Sequence, residues 1–401
     1  MSSPAPEPAP NGATRPRPDP RPIPLGVYVH VPFCLRKCPY CDFNSHQRRG
    51  ELPEADYLAA IRGELARRAP LAGGRPARSV FFGGGTPSLL SPAFFATVLE
   101  ELDRTLGLAA DCEVSLEANP GASEAERFGG FRAAGINRLS IGIQSLDDDT
   151  LARIGRVHDA AEARRAVAAA REAGFANLNL DLMFGLPGQS PGDAAADLDA
   201  LLALDPEHVA LYQLTLEPGT AFGGRPPAGL PDPDTLADTE DGLRERLAAA
   251  GFAHYEVSNH ARPGFQCRHN RNYWEFGDYL GLGAGAHGKV TTPEGIRRTR
   301  NVSGPDGYMR RAATGDPTTE EGLLGPEEVR AELALNALRL HEGVSMDLAR
   351  ERTGLSAEDL GAPRARAEAL GLLHADPRAL SPTETGRAFL NDLTALFLTP
   401  Q

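Results

Sequence analysis

Lysine is almost missing from this chain: Lys37 and Lys289 stand alone, and arginine supplies nearly all of the 41 basic residues. That bias reads as base composition of the coding sequence, not as function. Positive charge is itself in deficit, with 54 Asp and Glu and a formal net charge of −13 in 401 residues. An acidic chain is poor material for a general nucleic-acid or anionic-membrane binder, both of which need basic surface. No apolar run approaches the roughly 18 residues a membrane-spanning helix requires, and the N-terminus lacks the charged-then-apolar order of a signal peptide. A cytoplasmic protein is expected. Cysteine is scarce and odd in number (Cys34, Cys38, Cys41, Cys112 and Cys267), which argues against a disulfide framework. Aromatic residues are only 6%, with Trp274 the single tryptophan.

Hydrophobic residues still reach 41%, enough for a sizeable core, in a chain too long for one ordinary domain. Residues 1–24 hold nine prolines and are expected to be a disordered, polyproline-like tail without chemistry. From Leu25 the pattern changes to short β-branched runs alternating with Ala/Leu/Arg-rich stretches of helical period. Strands are expected at 25–31, 79–82, 113–117, 138–143, 177–183 and 208–216, with helices such as 53–68, 92–106 and 160–173 between them. This repetition predicts parallel strands with helical crossovers, wound into an open sheet or a barrel. Six units are countable, so 25–250 is the expected α/β unit and 251–325 a connecting segment. Residues 326–401 read as helices followed by a hairpin at 372–381, a small winged-helix-like α+β domain. Its eight Arg against twelve Asp and Glu disfavour duplex binding.

Three of the five cysteines fall within eight residues, directly after the first strand: Cys34-Leu-Arg-Lys-Cys38-Pro-Tyr-Cys41. Soft thiolates at this spacing select zinc, copper(I) or iron–sulfur. A closed zinc site needs a fourth ligand, and Asp42, His46 and His30 do not follow the usual paired spacing. Further on, Phe82-Gly83-Gly84-Gly85-Thr86-Pro87 ends the second strand, where glycines let backbone amides approach a ligand. Polar residues recur at successive strand ends: Glu117, Gln144 and Asp181, the register of a pocket at one barrel face. Arg156 is a candidate partner for a carboxylate.

The Cys-x-x-x-Cys-x-x-Cys run after a first strand in a β/α repeat resembles the radical S-adenosylmethionine superfamily. The resemblance implies a partial (β/α)₆ barrel, a [4Fe–4S] cluster on Cys34, Cys38 and Cys41, and S-adenosylmethionine at the open iron. With Gly185-Leu-Pro-Gly-Gln189 and Gly281-Leu-Gly-Ala-Gly-Ala-His287, the chain is similar to the oxygen-independent coproporphyrinogen III dehydrogenase group. By that similarity Tyr28, Gly84 and Glu117, with His287 adjoining, bind the cluster-bound S-adenosylmethionine. Tyr40, Gly85, Thr86, Gln144, Arg156, Asp181 and Thr215 match positions that bind a second one.

Two departures point to the related haem chaperone branch. Phe43 stands where the dehydrogenase has a fourth cysteine, and the proline-rich tail replaces a structured lid. His269-Asn270-Arg-Asn-Tyr273-Trp274 also looks like that branch's His-Asn-x-x-Tyr-Trp segment, which is associated with haem. An imidazole ligates haem iron, Tyr and Trp offer flat apolar surface, and Cys267 nearby could supply thiolate. The expected function is binding haem and transferring it to an unidentified acceptor protein, without nucleic acid and without a membrane span. Transient contact with a membrane-bound acceptor is compatible with this. The alternative is oxidative decarboxylation of coproporphyrinogen III.

Overall fold

The computed structural model describes residues 23–48 and 50–398, so the expected N-terminal tail lies almost wholly outside the described residues. Six parallel strands, β1 (Leu25–Val31), β2 (Ala77–Gly84), β3 (Leu108–Ala118), β4 (Arg138–Gln144), β5 (Leu178–Phe184) and β6 (His208–Gln213), lie side by side in chain order. Helical crossovers α1 (Glu54–Arg68), α2 (Pro92–Leu106), α3 (Ala160–Glu172) and α4 (Pro191–Leu202) connect them, and α5 (Pro233–Ala249) follows β6. The helix starts are legible locally. Ser91 accepts from the Phe94 N–H ahead of Pro92, and Asp159 with Glu162 forms a reciprocal capping box.

The period of two along each strand decides which side is greasy. Val27, Val29, Val31, Val80, Phe82, Leu116, Ile141, Leu180 and Val209 are buried in the core shared with the helices. Their alternates, Tyr28, His30, Ser79, Glu113, Ser115, Glu117, Arg138, Ser140, Asn179, Asp181 and His208, make a polar concave face. A one-residue slip would exchange the two sets, so register is tightly specified.

Residues 251–325 carry six more strands of the same sheet. β7 (Ala253–Glu256) and β8 (Asn259–Ala261) extend it antiparallel beyond β6, and α6 (Arg268–Trp274) follows them. β9 (Asp278–Leu282) pairs parallel with β1 on the other edge, followed antiparallel by β10 (His287–Thr292), β11 (Gly295–Asn301) and β12 (Thr318–Leu323). The full order is β12-β11-β10-β9-β1-β2-β3-β4-β5-β6-β8-β7. α7 (Pro305–Thr314) packs on α1, and α8 (Pro326–Ala337) opens the C-terminal domain. There, short strands Val344–Ser345 and Ala379–Leu380 pair antiparallel, and a lone bridge joins Leu373 to Pro382 within the expected hairpin. Its own core, including Leu333, Leu338, Leu393 and Phe397, takes in Phe276 and Ile296 from the barrel side.

Two buried ionic knots fasten the far edge. Asp278, with no exposed surface, accepts from Arg75 (2.7 Å), Lys289 (3.0 Å) and the Thr291 amide (2.8 Å). Glu64 accepts from Arg68, Asn301, Tyr308 and the Gly283 amide, tying α1 to β11 and α7.

Candidate functional site

The cysteine loop is closed at its base by a two-residue parallel pairing, Phe33 with His46 and Cys34 with Gln47. Inside it, the Cys41 amide donates to the Cys38 carbonyl (3.1 Å), and Lys37 reaches across to the Phe43 carbonyl (3.1 Å). Cys34 is buried, Cys38 and Cys41 are half-buried, and none is in a disulfide. Burial is the largest influence on the Cys34 thiol and pushes its pKa up, with smaller contributions from Cys41 and Cys38 nearby. Each sulfur has a polar neighbour: the Thr86 hydroxyl donates to Cys34 (3.4 Å), Arg156 to Cys38 (3.7 Å), and Ser45 lies 3.8 Å from Cys41. That donor set suits thiolates. Among the described residues no three His, Cys, Asp or Glu side chains converge on a single ion position. Three sulfur donors with polar neighbours are a soft donor set.

Beside the loop, the glycine run ends β2. Gly84 has φ +118°, and a Cβ there would lie 2.5 Å from the His30 ring; one on Gly85 would lie 2.7 Å from the Phe33 carbonyl oxygen. The Gly84 amide donates to the Glu117 carboxylate at 2.9 Å. Burial pushes the Glu117 carboxyl up to about 7 despite that bond, and Asp181 pushes it further. His30 Nε2 donates to the Asn44 carbonyl (2.8 Å), so the neutral ring's Nδ1 accepts from the Tyr28 hydroxyl (2.9 Å).

One register further on, Asp181 is pushed up to about 6 by burial, against the Asn179 amide, Arg138 and Arg156, which favour its ionised form. Asn179 Nδ2 donates to Asp181 (2.6 Å) and Ser140 (2.7 Å), while its oxygen accepts from His208 Nδ1 (2.6 Å). Gln144 sits at φ +69°, a conformation non-glycine residues rarely adopt, and accepts from the Tyr212 hydroxyl at 2.5 Å. Arg156 spans Asn119 (2.7 Å), the Gly142 carbonyl (2.9 Å) and Cys38.

Tyr28, Tyr40, Gly84, Gly85, Thr86, Glu117, Gln144, Arg156 and Asp181 therefore stand at or beside the mouth that carries the cysteines. Thr215 lies on the exposed stretch after β6, and His287 is the exposed first residue of β10, within electrostatic reach of His30. Sequence reading missed Asn119, which donates to Thr86 (3.1 Å) and accepts from Arg156, although it lies two residues beyond Glu117. It also missed Arg138 and Asn179, whose signal is their place on the inward side of strands that are otherwise apolar.

The His-Asn-x-x-Tyr-Trp segment is α6, which closes the barrel floor. The amides of Arg268 and His269 point at the Glu113 carboxylate (3.2 Å each). His269 is 1% exposed, bonds Ser79 through Nδ1 (2.9 Å) and stacks on Phe81. Burial pulls its imidazole down to about 3, and burial pushes the Cys267 thiol up to about 12, so neither group is charged near neutrality. Asn270 is half-buried on the same helix. Tyr273 is half-buried between His269 and Tyr279, and Trp274 packs against the C-terminal core with the Arg339 guanidinium over its ring at 4.3 Å.

Residues 28–201 match the Radical SAM superfamily, and residues 324–389 match the HemN C-terminal domain. The chain is 45% identical over 373 residues to "Heme chaperone HemW" of Escherichia coli, covering 93% of this chain and 97% of that protein. It is 41% identical over 388 residues to the mouse "Radical S-adenosyl methionine domain-containing protein 1, mitochondrial", covering 94% and 87%. Among solved structures, coproporphyrinogen III oxidase (HemN) from E. coli, described as a radical SAM enzyme, superposes with a TM-score of 0.80 at 25% identity. That match covers 95% of this chain and 91% of the other.

Proposed function

The chain belongs to the HemW family of radical S-adenosylmethionine proteins, and from that premise we propose that it binds haem and passes it to an acceptor protein. The observation that carries the reading is the 45% identity that spans 97% of a named haem chaperone. In this reading Cys34, Cys38 and Cys41 hold a [4Fe–4S] cluster, with Thr86, Arg156 and Ser45 beside their sulfurs. Tyr28, Gly84, Glu117 and His287 serve S-adenosylmethionine, as do Tyr40, Gly85, Thr86, Gln144, Arg156, Asp181 and Thr215 if two molecules bind. When bound, the cluster supplies an open iron that takes the amino and carboxylate groups of S-adenosylmethionine. The chain's own part is to orient and to exclude water. Glu117 presents a buried carboxyl, Arg156 locks the cysteine loop to β4, and the Asn179 amide fixes the rotamer of Asp181.

The HemN likeness, 0.80 by TM-score, supports a second reading, coproporphyrinogen III dehydrogenation. Phe43, 61% exposed where the dehydrogenase resemblance has a cysteine, speaks against it. One experiment separates them. Anaerobically reconstituted protein is offered haem in one cuvette, and coproporphyrinogen III with S-adenosylmethionine and reductant in another. A stoichiometric Soret band without protoporphyrinogen IX supports the chaperone; turnover to protoporphyrinogen IX establishes the dehydrogenase.

A further inference from the structure

We infer that the imidazoles of His254, His260 and His341 form an acid-sensitive latch between the outer edge of the barrel sheet and the C-terminal domain. The latch is closed while all three rings are neutral and is released as they take up protons.

β7 is the last strand of the sheet, and the C-terminal domain meets its outer edge with residues 339–341, just after α8. The His341 amide donates to the Tyr255 carbonyl (3.1 Å), and a lone antiparallel bridge joins Leu340 to Glu256. Side chains fill the rest of the seam. His260 lies opposite His254 in the antiparallel pairing of β8 with β7, and their rings stack at 4.0 Å, 13° from parallel. His341 of the C-terminal domain packs edge-on against His254 at 3.9 Å. Arg339 carries the seam onward, pairing with Glu256 (3.6 Å) and lying over Trp274 of α6 at 4.3 Å.

This packing suits neutral rings. His260 is 2% exposed, and neither of its nitrogens has a hydrogen-bond partner among the described residues. His254 has the Val257 carbonyl (3.1 Å). The charges acting on the rings are themselves cationic, Arg244 from α5 and Arg387 from the helix Glu384–Ala388. Carboxyls of the surrounding elements serve other partners: Glu240 and Asp241 hold Arg244, Glu256 accepts from Asn259, and Glu342 pairs with Arg271. Burial, reinforced by these cations and by the neighbouring imidazoles, pulls His254 down to about 4, His341 to about 3 and His260 to about 2. Glu256, its carboxyl raised by burial, titrates in the opposite sense, one group against three.

Once released, the imidazoles titrate near their ordinary value of 6.5. The closed state is therefore fully favoured above about pH 6.5 and loses ground as pH falls from there toward about 4. Each imidazole that gains a proton on release raises the open-to-closed ratio about tenfold per pH unit, and three together raise it up to about a thousandfold. Release takes Arg339 off Trp274 and uncovers that side of α6.

The test reads the emission of Trp274, the single tryptophan, in the full-length, cluster-loaded protein between about pH 7.5 and 5, with far-UV circular dichroism alongside. Wild type is expected to shift its emission reversibly to the red on acidification, with the helical signal retained. His341→Phe and His260→Phe each keep a ring in place that never ionises. Each should make the transition shallower and lower its midpoint by about half a pH unit or more. His374→Asn, at an exposed histidine elsewhere in the C-terminal domain, should follow wild type. Emission of wild type unchanged down to about pH 5, an unaltered profile in both ring variants, or loss of helical signal in step with the emission each overturns the latch.

Discussion

Glu117 shows how a single side chain links burial to ligand chemistry. It is half-buried, keeps one backbone donor, and carries a carboxyl raised to about 7 by burial. It is therefore mostly neutral at pH 6 and mostly ionised at pH 8. S-adenosylmethionine is cationic at its sulfonium and amino groups, so an ionised Glu117 attracts it where the dielectric is low. Affinity for S-adenosylmethionine in the reconstituted protein should therefore tighten as pH rises through about 7. Glu117→Gln should bind more weakly at pH 8 and lose that dependence. An unchanged pH profile in the variant, followed by anaerobic calorimetry, removes Glu117 from the site. Glu117 was legible in the sequence because it comes near the end of its strand, whereas Asp181, expected at a strand end, lies midway along β5 and joins the site by facing inward. Arg138 was not: it begins its strand and reads as a surface cation, yet it is 2% exposed and its Nε has no partner among the described residues. Only closure of the sheet puts it beneath Asp181.

At the scale of elements, the parallel units were readable from period alone, because each strand and each helix had to bury an apolar side against the other. The strands of 253–323 were not. Their burial comes from pairing with an edge of the same sheet and from charges such as Asp278, and neither leaves an alternating pattern. Lys289, one of two lysines, is part of that hidden edge. Burial raises the Asp278 carboxyl, but Lys289 and Arg75 more than offset it and hold the carboxyl below its usual range. Replacing it by Asn leaves two buried cations without their counter-charge, so Asp278→Asn should destabilise by about 3–5 kcal/mol near neutrality. The sign with pH follows from the depressed value. The stabilisation is complete above the unfolded carboxyl's pKa of about 3.9 and is lost as pH falls through the lower folded value. Denaturant midpoints of wild type and variant should accordingly converge below about pH 4; a gap constant down to pH 2 would show that the ion pairs do not carry the effect.

At the scale of the whole molecule, the cysteine loop and Tyr279 stand at opposite ends of one strand. The cysteine loop follows the last residue of β1, whereas Tyr279 pairs with Gly26 near its start. Seven residues at about 3.3 Å each separate the ends by roughly 20 Å. Between them runs a continuous set of rings, Tyr28 and Phe81 against His269, then Tyr273, then Tyr279. It is anchored at His269 by Ser79 and Glu113, and at Tyr28 by His30, which also bonds the Asn44 carbonyl of the cysteine loop. Cys38 and Cys41 are half-exposed, while Cys34 is buried at the end of a two-residue strand whose pairing is made by backbone. Replacing Cys34, Cys38 and Cys41 together by Ala should abolish the broad iron–sulfur absorbance and S-adenosylmethionine binding. The thermal midpoint of the apoprotein should move little, and haem affinity should stay within about twofold if haem is held at α6, whose His269 bonds Ser79 and Glu113 and not the loop. If a folded triple variant lost haem, the cluster loop and α6 would be one device, coupled through His30 and the ring stack. That outcome would relocate the control of haem release to His269, whose ring stands midway.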